Sequence, residues 1–415
     1  MKSNNIDDLI HQAVFGKTEE IRNATHQEIR EIAKKCGIFS ASILPLYHAV
    51  RNQKVLGFTV PAFNIRTLTY DTAATIFSLA QEKSVGAFIF EIARSEIGYT
   101  AQRPMEFASA VLAGAIKSRW KGPVFIQGDH YQFKASSFKK DPKGEQKKIK
   151  ELIKESIEGG FYNIDIDAST LVDLEKETLD AQQKANYEET AHLTRYIRSI
   201  QPNGVNISIG GEIGHIGGKN STVAEFEAFM KGYLSRIEKA RLEGISKVSV
   251  QTGTSHGGIP LPDGTIKEVS LDFSVLENIG RAARAKYHIG GAVQHGASTL
   301  PSELFHRFPE AQTLEIHLAT GFQNIVYEHL PQELTKEMYQ YLKEKEKDEW
   351  KEGWTSEQFV YKMRKKALGP FKKKLWTLPE RSKKPLLAAL KNQFAFLFEK
   401  LRVFDSQKIV STYVS

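Results

Sequence analysis

Eight short runs rich in β-branched or apolar residues recur between residues 57 and 320, and their rhythm constrains the fold of this 415-residue chain more than any other feature. They are GFTVPAFNI (57–65), GAFIFEIA (86–93), PVFIQGDH (123–130), NIDIDAS (163–169), NISIGGEIG (206–214), KVSVQTG (247–253), HIGGAVQHG (288–296) and TLEIHLAT (313–320). Most end in Gly, Asn, Asp or His and give way to amphipathic stretches such as AATIFSLAQEK (73–83), GEQKKIKELIKESIEGG (144–160) and STVAEFEAFMKGYLSRIEKARLEG (221–244). Runs of this length read as buried strands, and the stretches between them repeat their apolar residues at helical spacing. Eight strand–helix units predict an α/β chain folded as a (β/α)8 TIM barrel. A doubly wound Rossmann sheet is the competing arrangement, but it requires a G-x-G-x-x-G turn after its first strand, and PAFNIRTL is not one.

The barrel is expected over residues 57–330. Residues 1–56 read as a helical N-terminal segment that includes SILPLYHAVRNQK (42–54). Residues 331–415 read as a C-terminal extension of two or three charged helices, broken at Leu368-Gly369-Pro370 and again at Lys384-Pro385. The net charge of +8 lies wholly in that extension, which holds 19 Lys+Arg against 11 Asp+Glu, ten of the basic residues falling within 362–384. Such a run can meet nucleic acid, a membrane or an acidic partner, but interleaved Phe371, Leu375 and Trp376 favour a solvated helix face or an oligomer contact. The neutral body shows no basic aromatic motif, so nucleic-acid and membrane partners are not expected. The 41% hydrophobic content excludes disorder, and the single Cys36 excludes an internal disulfide and points to the cytoplasm.

Three histidines stand at strand ends beside glycine-containing turns: His130 in QGDHYQF, His256 in GTSHGG and His295 in VQHGAST. Their linear spacing matches no zinc motif. In a barrel, however, the third, sixth and seventh strands end on one rim, so three imidazoles can reach one cation and leave a coordination position open. Each alone reads equally as a satisfied polar residue; together they favour a metal centre.

In this order, VRNQKVLGFTVPAFNI, GDH, NIDIDAS, GEIGHIGG, GTSHGG and QHGAST resemble the successive strand ends of the class II, metal-dependent fructose-bisphosphate aldolases and their ketose-bisphosphate relatives. The resemblance covers about residues 45–325 and leaves out both terminal segments; the connection YQFKASSFKKDPKGEQ (131–146) is longer than the family's. It implies a lyase that reversibly cleaves a ketose (bis)phosphate, with fructose 1,6-bisphosphate the leading substrate, to dihydroxyacetone phosphate and an aldehyde, glyceraldehyde 3-phosphate in that case. It also implies Zn2+ as cofactor, with a second divalent ion and a monovalent cation as further candidates, and a homo-oligomer, dimer or tetramer. Carried over by position, His130, His256 and His295 match the zinc ligands, and Glu212 matches an acidic residue that holds a metal in an outer position. Asp129 matches the carboxylate that exchanges a proton with the hydroxyl at the bond made or broken. Gly257, Gly296, Ser298 and Thr320 match positions that cradle the ketose phosphate, and Asn64 matches an amide beside the substrate. The chemistry agrees with these roles: retro-aldol cleavage puts negative charge on the ketone oxygen, which a divalent cation stabilises, while a carboxylate takes the hydroxyl proton.

Two departures stand out. Where the family carries an acidic pair on a mobile loop, one member of which removes the carbon-bound proton, this chain reads Gly217-Gly218-Lys219-Asn220-Ser221. Glu225, Glu227, His215 or a metal-bound water are the alternatives for that base. On the eighth strand, His317-Leu318-Ala319-Thr320 stands where the family has Asn and Asp near Thr, making His317 a candidate acid/base or hydroxyl contact. Arg94 and Ser95 are candidate anion contacts. Two other readings stay open: a Schiff-base aldolase, disfavoured because Lys247 opens its strand, and a non-catalytic barrel subunit that supports a partner aldolase.

Overall fold

The eight expected runs each contain a strand, and the strands close on themselves. The structure, a computed structural model, describes residues 5–214, 219–253 and 271–414. The strands are β1 (Ile38–Ala41), β2 (Val60–Asn64), β3 (Ile89–Ala93), β4 (Gly122–Gln132), β5 (Asn163–Asp167), β6 (Ser208–Glu212), β7 (Lys247–Val250), β8 (Ala292–Gln294) and β9 (Glu315–Leu318). From β2 to β9 each strand pairs in parallel with the next, and β2 pairs with β9, so the sheet is a closed eight-stranded barrel. Most of these strands are buried on both faces, as expected when helices cover the outside and side chains fill the inside.

β1 corrects the reading of residues 1–56 as helical throughout. Helices Ile6–Phe15, Glu19–Lys35 and Leu44–Arg51 are present, but IFSA lies between them as a strand pairing with the first half of β4. Four residues are too few to show a period, and the strand forms because β4 is long enough to pair with β1 below and β5 above. Buried Asn163 ties the junction: its side chain accepts from Ile43 N at 2.9 Å and donates to the carbonyls of Ala41 and Ile126 at 3.2 and 3.1 Å.

Beyond the barrel, the chain forms helices Gln332–Lys345, Ser356–Met363, Lys372–Trp376, Glu380–Lys400 and Ser406–Tyr413. The break near 368–370 is present: Gly369 N bonds Tyr99 O at 3.0 Å, and a Cβ there would lie 2.5 Å from that oxygen. The expected break at Lys384-Pro385 is absent. Pro385 sits in the second turn of Glu380–Lys400, where its missing N–H leaves the carbonyl of exposed Arg381 without its helical partner, and the helix continues through it. This helix is part of the core: the Phe63 ring of β2 meets Phe394 and Phe398 at 5.0 and 5.6 Å between centroids. Much of the basic excess is neutralised within the chain, as Lys372, Lys383 and Lys391 pair with Glu106, Asp71 and Glu82 of the barrel helices.

Because Phe394 fills the space between the barrel wall and the last long helix, Phe394→Ala is expected to lower unfolding free energy by about 3–5 kcal/mol. Denaturant titration measures this; a loss under about 1 kcal/mol would show that the extension is only loosely applied.

Candidate active site

Asp129 and His130 are neighbours, and in a regular strand their side chains would face opposite sides of the sheet. Both line the same cavity because the register of β4 against β5 shifts between Gly128 and Tyr131, and His130 takes φ +43°. A non-glycine residue in this left-handed region costs about 1–3 kcal/mol and is held only by its surroundings. Here the holding groups are visible. Tyr131 is fully buried against Gly128, whose missing Cβ would lie 2.4 Å from the Tyr131 ring. His130 Nδ1 lies 3.2 Å from Asp167 Oδ2 and 3.3 Å from Glu212 Oε2.

Asp167 in turn accepts from Ser169 N and Oγ at 3.1 and 2.7 Å and from Gln132 Nε2 at 2.5 Å. Burial is the largest influence and opposes its ionisation, but the bond and charge of His130 together with the bonds from Ser169 and Gln132 keep the Asp167 carboxyl below its ordinary range. Glu212 behaves oppositely: burial, then the charge of Asp167, pushes it up to about 7 despite His130. Burial would keep His130 neutral, yet the charges of Asp129 and Glu212 raise it well above an ordinary imidazole.

His295 follows β8. Its ring centre is 4.3 Å from that of His130 and 4.0 Å from that of His317, and its Nε2 is 2.8 Å from Ser249 Oγ. One ligand atom each from Asp129, His130 and His295 falls within 4.8 Å of the others, and the same holds for His130, Asp167 and Glu212. His256 and Gly257 lie outside the described residues.

Beneath this rim lies a buried polar network, of which the sequence singled out His317, Asp129 and Lys247 but not Glu91, Gln127, Asp165 or Glu315. His317 Nδ1 is 3.0 Å from Glu91 Oε2 and 3.3 Å from Asp129 Oδ1, and its Nε2 is 2.6 Å from Glu315 Oε1. Glu315 also accepts from Lys247 and Tyr47. Lys247, 1% exposed, further reaches Asp165 at 3.0 Å and Gln127 Oε1 at 2.7 Å. Burial works against ionised Glu315, but Lys247 and His317 hold it well below the carboxylate range. With less compensation, burial lifts Asp165 to about 6. The signal was present in the strings NIDID and EIH, where polar residues two apart must point into the barrel together. Lys247 is committed to this network and does not line the cavity.

The cavity has a volume of about 580 Å³. Asn64, Asp129, His130, His295, Gly296, Ser298, His317 and Thr320 line it; Glu212 stands behind His130. Gly296 has φ +72°, and Ser298 Oγ accepts from Ala319 N at 2.8 Å. Asn64 Nδ2 donates to Glu96 at 2.6 Å while its Oδ1 has no partner among the described residues. Cationic side chains line the cavity too: Arg66, Arg94 and Lys134 from the barrel and Lys362, Arg364 and Lys365 from the C-terminal extension. Arg66 pairs with Glu96 at 2.7 Å and Arg94 with Glu145 at 2.7 Å. Burial, then repulsion from Arg66, lowers the Lys365 ammonium from its ordinary value.

Residues 46–372 match the family of class II fructose-bisphosphate aldolases. The chain belongs to that family. No curated protein sequence matches it. Among solved structures, a putative fructose-1,6-bisphosphate aldolase from Coccidioides immitis is 19% identical, with 89% of this chain and 99% of that one covered and a TM-score of 0.54. The fructose-bisphosphate aldolase of Campylobacter jejuni is 15% identical, with coverages of 89% and 96% and a TM-score of 0.51. The fructuronate-tagaturonate epimerase UxaE of Cohnella laeviribosi is 11% identical, with coverages of 95% and 90% and a TM-score of 0.61. At these identities the likeness is one of fold. Among the described residues no helix is long and apolar enough to cross a membrane.

Removing Lys247 strands two buried carboxylates, so Lys247→Met is expected to destabilise the fold by about 3–5 kcal/mol. Denaturant melts would show this; unchanged stability would mean that the network is wet or neutral.

Proposed function

We propose that the protein is a metal-dependent aldolase that reversibly cleaves a ketose (bis)phosphate, with fructose 1,6-bisphosphate the leading substrate, to dihydroxyacetone phosphate and glyceraldehyde 3-phosphate. The observation that carries this reading is the bulge in β4, which brings Asp129 and His130 to one cavity opposite His295. A strained backbone that serves only to aim two polar side chains is characteristic of a working site.

The donor set suits a divalent cation. Neutral imidazoles with a carboxylate behind them are the ligand chemistry of zinc, and the surrounding carboxylates Glu91, Asp129, Asp165, Asp167, Glu212 and Glu315 outnumber the buried ammonium that answers them, Lys247. His130, His256 and His295 would hold Zn2+, with Glu212 available to an outer position. Asp167 would fix the His130 ring through Nδ1, as outer-shell carboxylates do. When bound, the cation supplies Lewis-acid stabilisation of the charge that develops on the ketone oxygen.

The remaining work falls to the chain. Asp129 takes the hydroxyl proton as the carbon–carbon bond breaks and returns it in condensation. His317, clamped between Glu315 and the Glu91–Asp129 pair, orients Asp129 and balances its charge. Gly296, Ser298, Thr320 and Gly257 would receive the ketose phosphate through backbone N–H groups. Lys362 and Lys365, which also line the cavity, suit a second anionic group of the substrate, which favours a bisphosphate. On this reading residues 331–415 are an extension that completes the barrel's site. A cytoplasmic dimer or tetramer without nucleic-acid or membrane partners is the proposed setting.

Purified protein should contain zinc and release dihydroxyacetone phosphate from fructose 1,6-bisphosphate, and chelation should abolish that release. His295→Ala should lose metal and turnover together. Asp129→Asn should keep its metal while kcat falls by about 10²–10⁴. Full activity after metal stripping would overturn the mechanism; a metal-loaded protein inert toward every ketose phosphate would favour a non-catalytic subunit. Lys365→Ala should raise KM for the bisphosphate about tenfold and leave a ketose 1-phosphate unaffected. Equal effects on both would remove Lys365 from the second anionic group.

A further inference from the structure

Aldol chemistry needs a second proton acceptor. Condensation begins by breaking a C–H bond on the hydroxymethyl carbon beside the carbonyl of dihydroxyacetone phosphate, and Asp129 is already engaged with the hydroxyl. Two of the alternatives read from the sequence are committed elsewhere. Glu225 accepts from Thr222 N and Oγ1 at 2.8 and 2.9 Å and pairs with Lys219 at 2.9 Å; Glu227 pairs with Lys286. His215 lies outside the described residues.

Among the described residues three carboxylates line the cavity: Glu91, Glu96 and Asp129. Both oxygens of Glu96 are taken, Oε1 by Arg66 and Oε2 by Asn64 Nδ2 and Ala93 N at 2.6 and 2.9 Å. Glu91 differs. It is 1% exposed, and its Oε2 is fixed by Gln127 Nε2 and His317 Nδ1, each at 3.0 Å, while its Oε1 is buried with no hydrogen-bond partner among the described residues. Glu91 borders the cavity, and a buried carboxylate held through one oxygen with the other unengaged keeps that second oxygen available for a proton. Such a fixed carboxylate beside the substrate space suits proton abstraction from carbon.

Resting on the aldolase reading, we propose that Glu91 is the base that replaces the missing loop carboxylate. Glu91 Oε1 takes the proton from the hydroxymethyl carbon. The C–H electron pair becomes the carbon–carbon π bond, and the carbonyl π pair moves to its oxygen, giving the enediolate. The enediolate carbon then attacks the aldehyde carbon, and Asp129 delivers a proton to the new hydroxyl. Condensation thus leaves Glu91 protonated and Asp129 ionised, the states from which cleavage starts, and in cleavage Glu91 returns its proton to carbon; for repeated turnover in one direction the two groups reset by proton exchange with water, so no further reactant is consumed. Burial, partly offset by His317, lifts the Glu91 carboxyl to about 7, which suits a group that must both accept and release a proton near neutrality.

The test is hydrogen exchange in D2O, followed by NMR, with the metal-loaded holoenzyme and dihydroxyacetone phosphate alone. The wild type should exchange one hydroxymethyl hydrogen. Glu91→Gln should slow exchange and cleavage by about 10²–10⁴ while retaining metal and an unchanged KM, and Glu91→Asp should recover part of the rate. Exchange in Glu91→Gln at the wild-type rate, or loss of metal along with exchange, would overturn the assignment and leave the aldolase reading standing. A wild type that neither exchanges nor cleaves would overturn that reading and this assignment with it. Should Glu91→Gln fail to fold, Glu91→Asp decides: undiminished exchange overturns the assignment, and slowed exchange at constant KM supports it.

Discussion

The site depends on one departure from regular geometry, the bulge that sets Asp129 beside His130. An unbroken β4 would send one of them outward into the helical layer, separating the Asp129 carboxylate, the proposed proton carrier, from its neighbouring imidazole. The bulge persists because the cost of positive φ at His130 is offset on both sides of it. Tyr131 is locked against Gly128 and bonded to Ser156, and the His130 ring is tied to Asp167 and Glu212. β1 contributes from below by pairing with the first half of β4, so the strand is anchored before it deforms.

The barrel floor explains how so many acids can stand so close together. Lys247 and His317 share Glu315, Lys247 also meets Asp165, and Gln127 bridges between Glu91 and Glu315. Each charge has a partner of opposite sign or an amide, which is the condition for keeping ionised groups inside a protein. The network ends upward at Glu91 and Asp129, so charge compensation in the floor fixes two of the carboxylates that line the cavity.

All eight barrel strands were legible because strands buried on both faces read as continuous apolar runs and recur with their helices. His130 and His295 were legible as strand-end imidazoles, and Asp129, Gly296, Ser298, Thr320 and Asn64 through the family resemblance; the structure gathers all of them around one cavity. β1 was not, since its existence depends on a partner far along the chain. Nor was Glu91, because a lone acid in an apolar run does not reveal which face it takes until the barrel closes. The extension was only half legible. Its helices could be read from their period, but the contribution of Lys362 and Lys365 to the cavity follows from a fold-back fixed by Gly369 on Tyr99 and Phe394 on Phe63.

The central claim is that the rim of the barrel is a metal-centred aldolase site built around the β4 bulge. Anomalous diffraction at the zinc edge, on crystals soaked with dihydroxyacetone phosphate, tests it most directly. The account predicts one strong peak bounded by His130 and His295, with the ketose oxygens beside it and Asp129 facing the hydroxymethyl end. A map without a metal peak at those imidazoles, or with the ligand bound elsewhere, would contradict it.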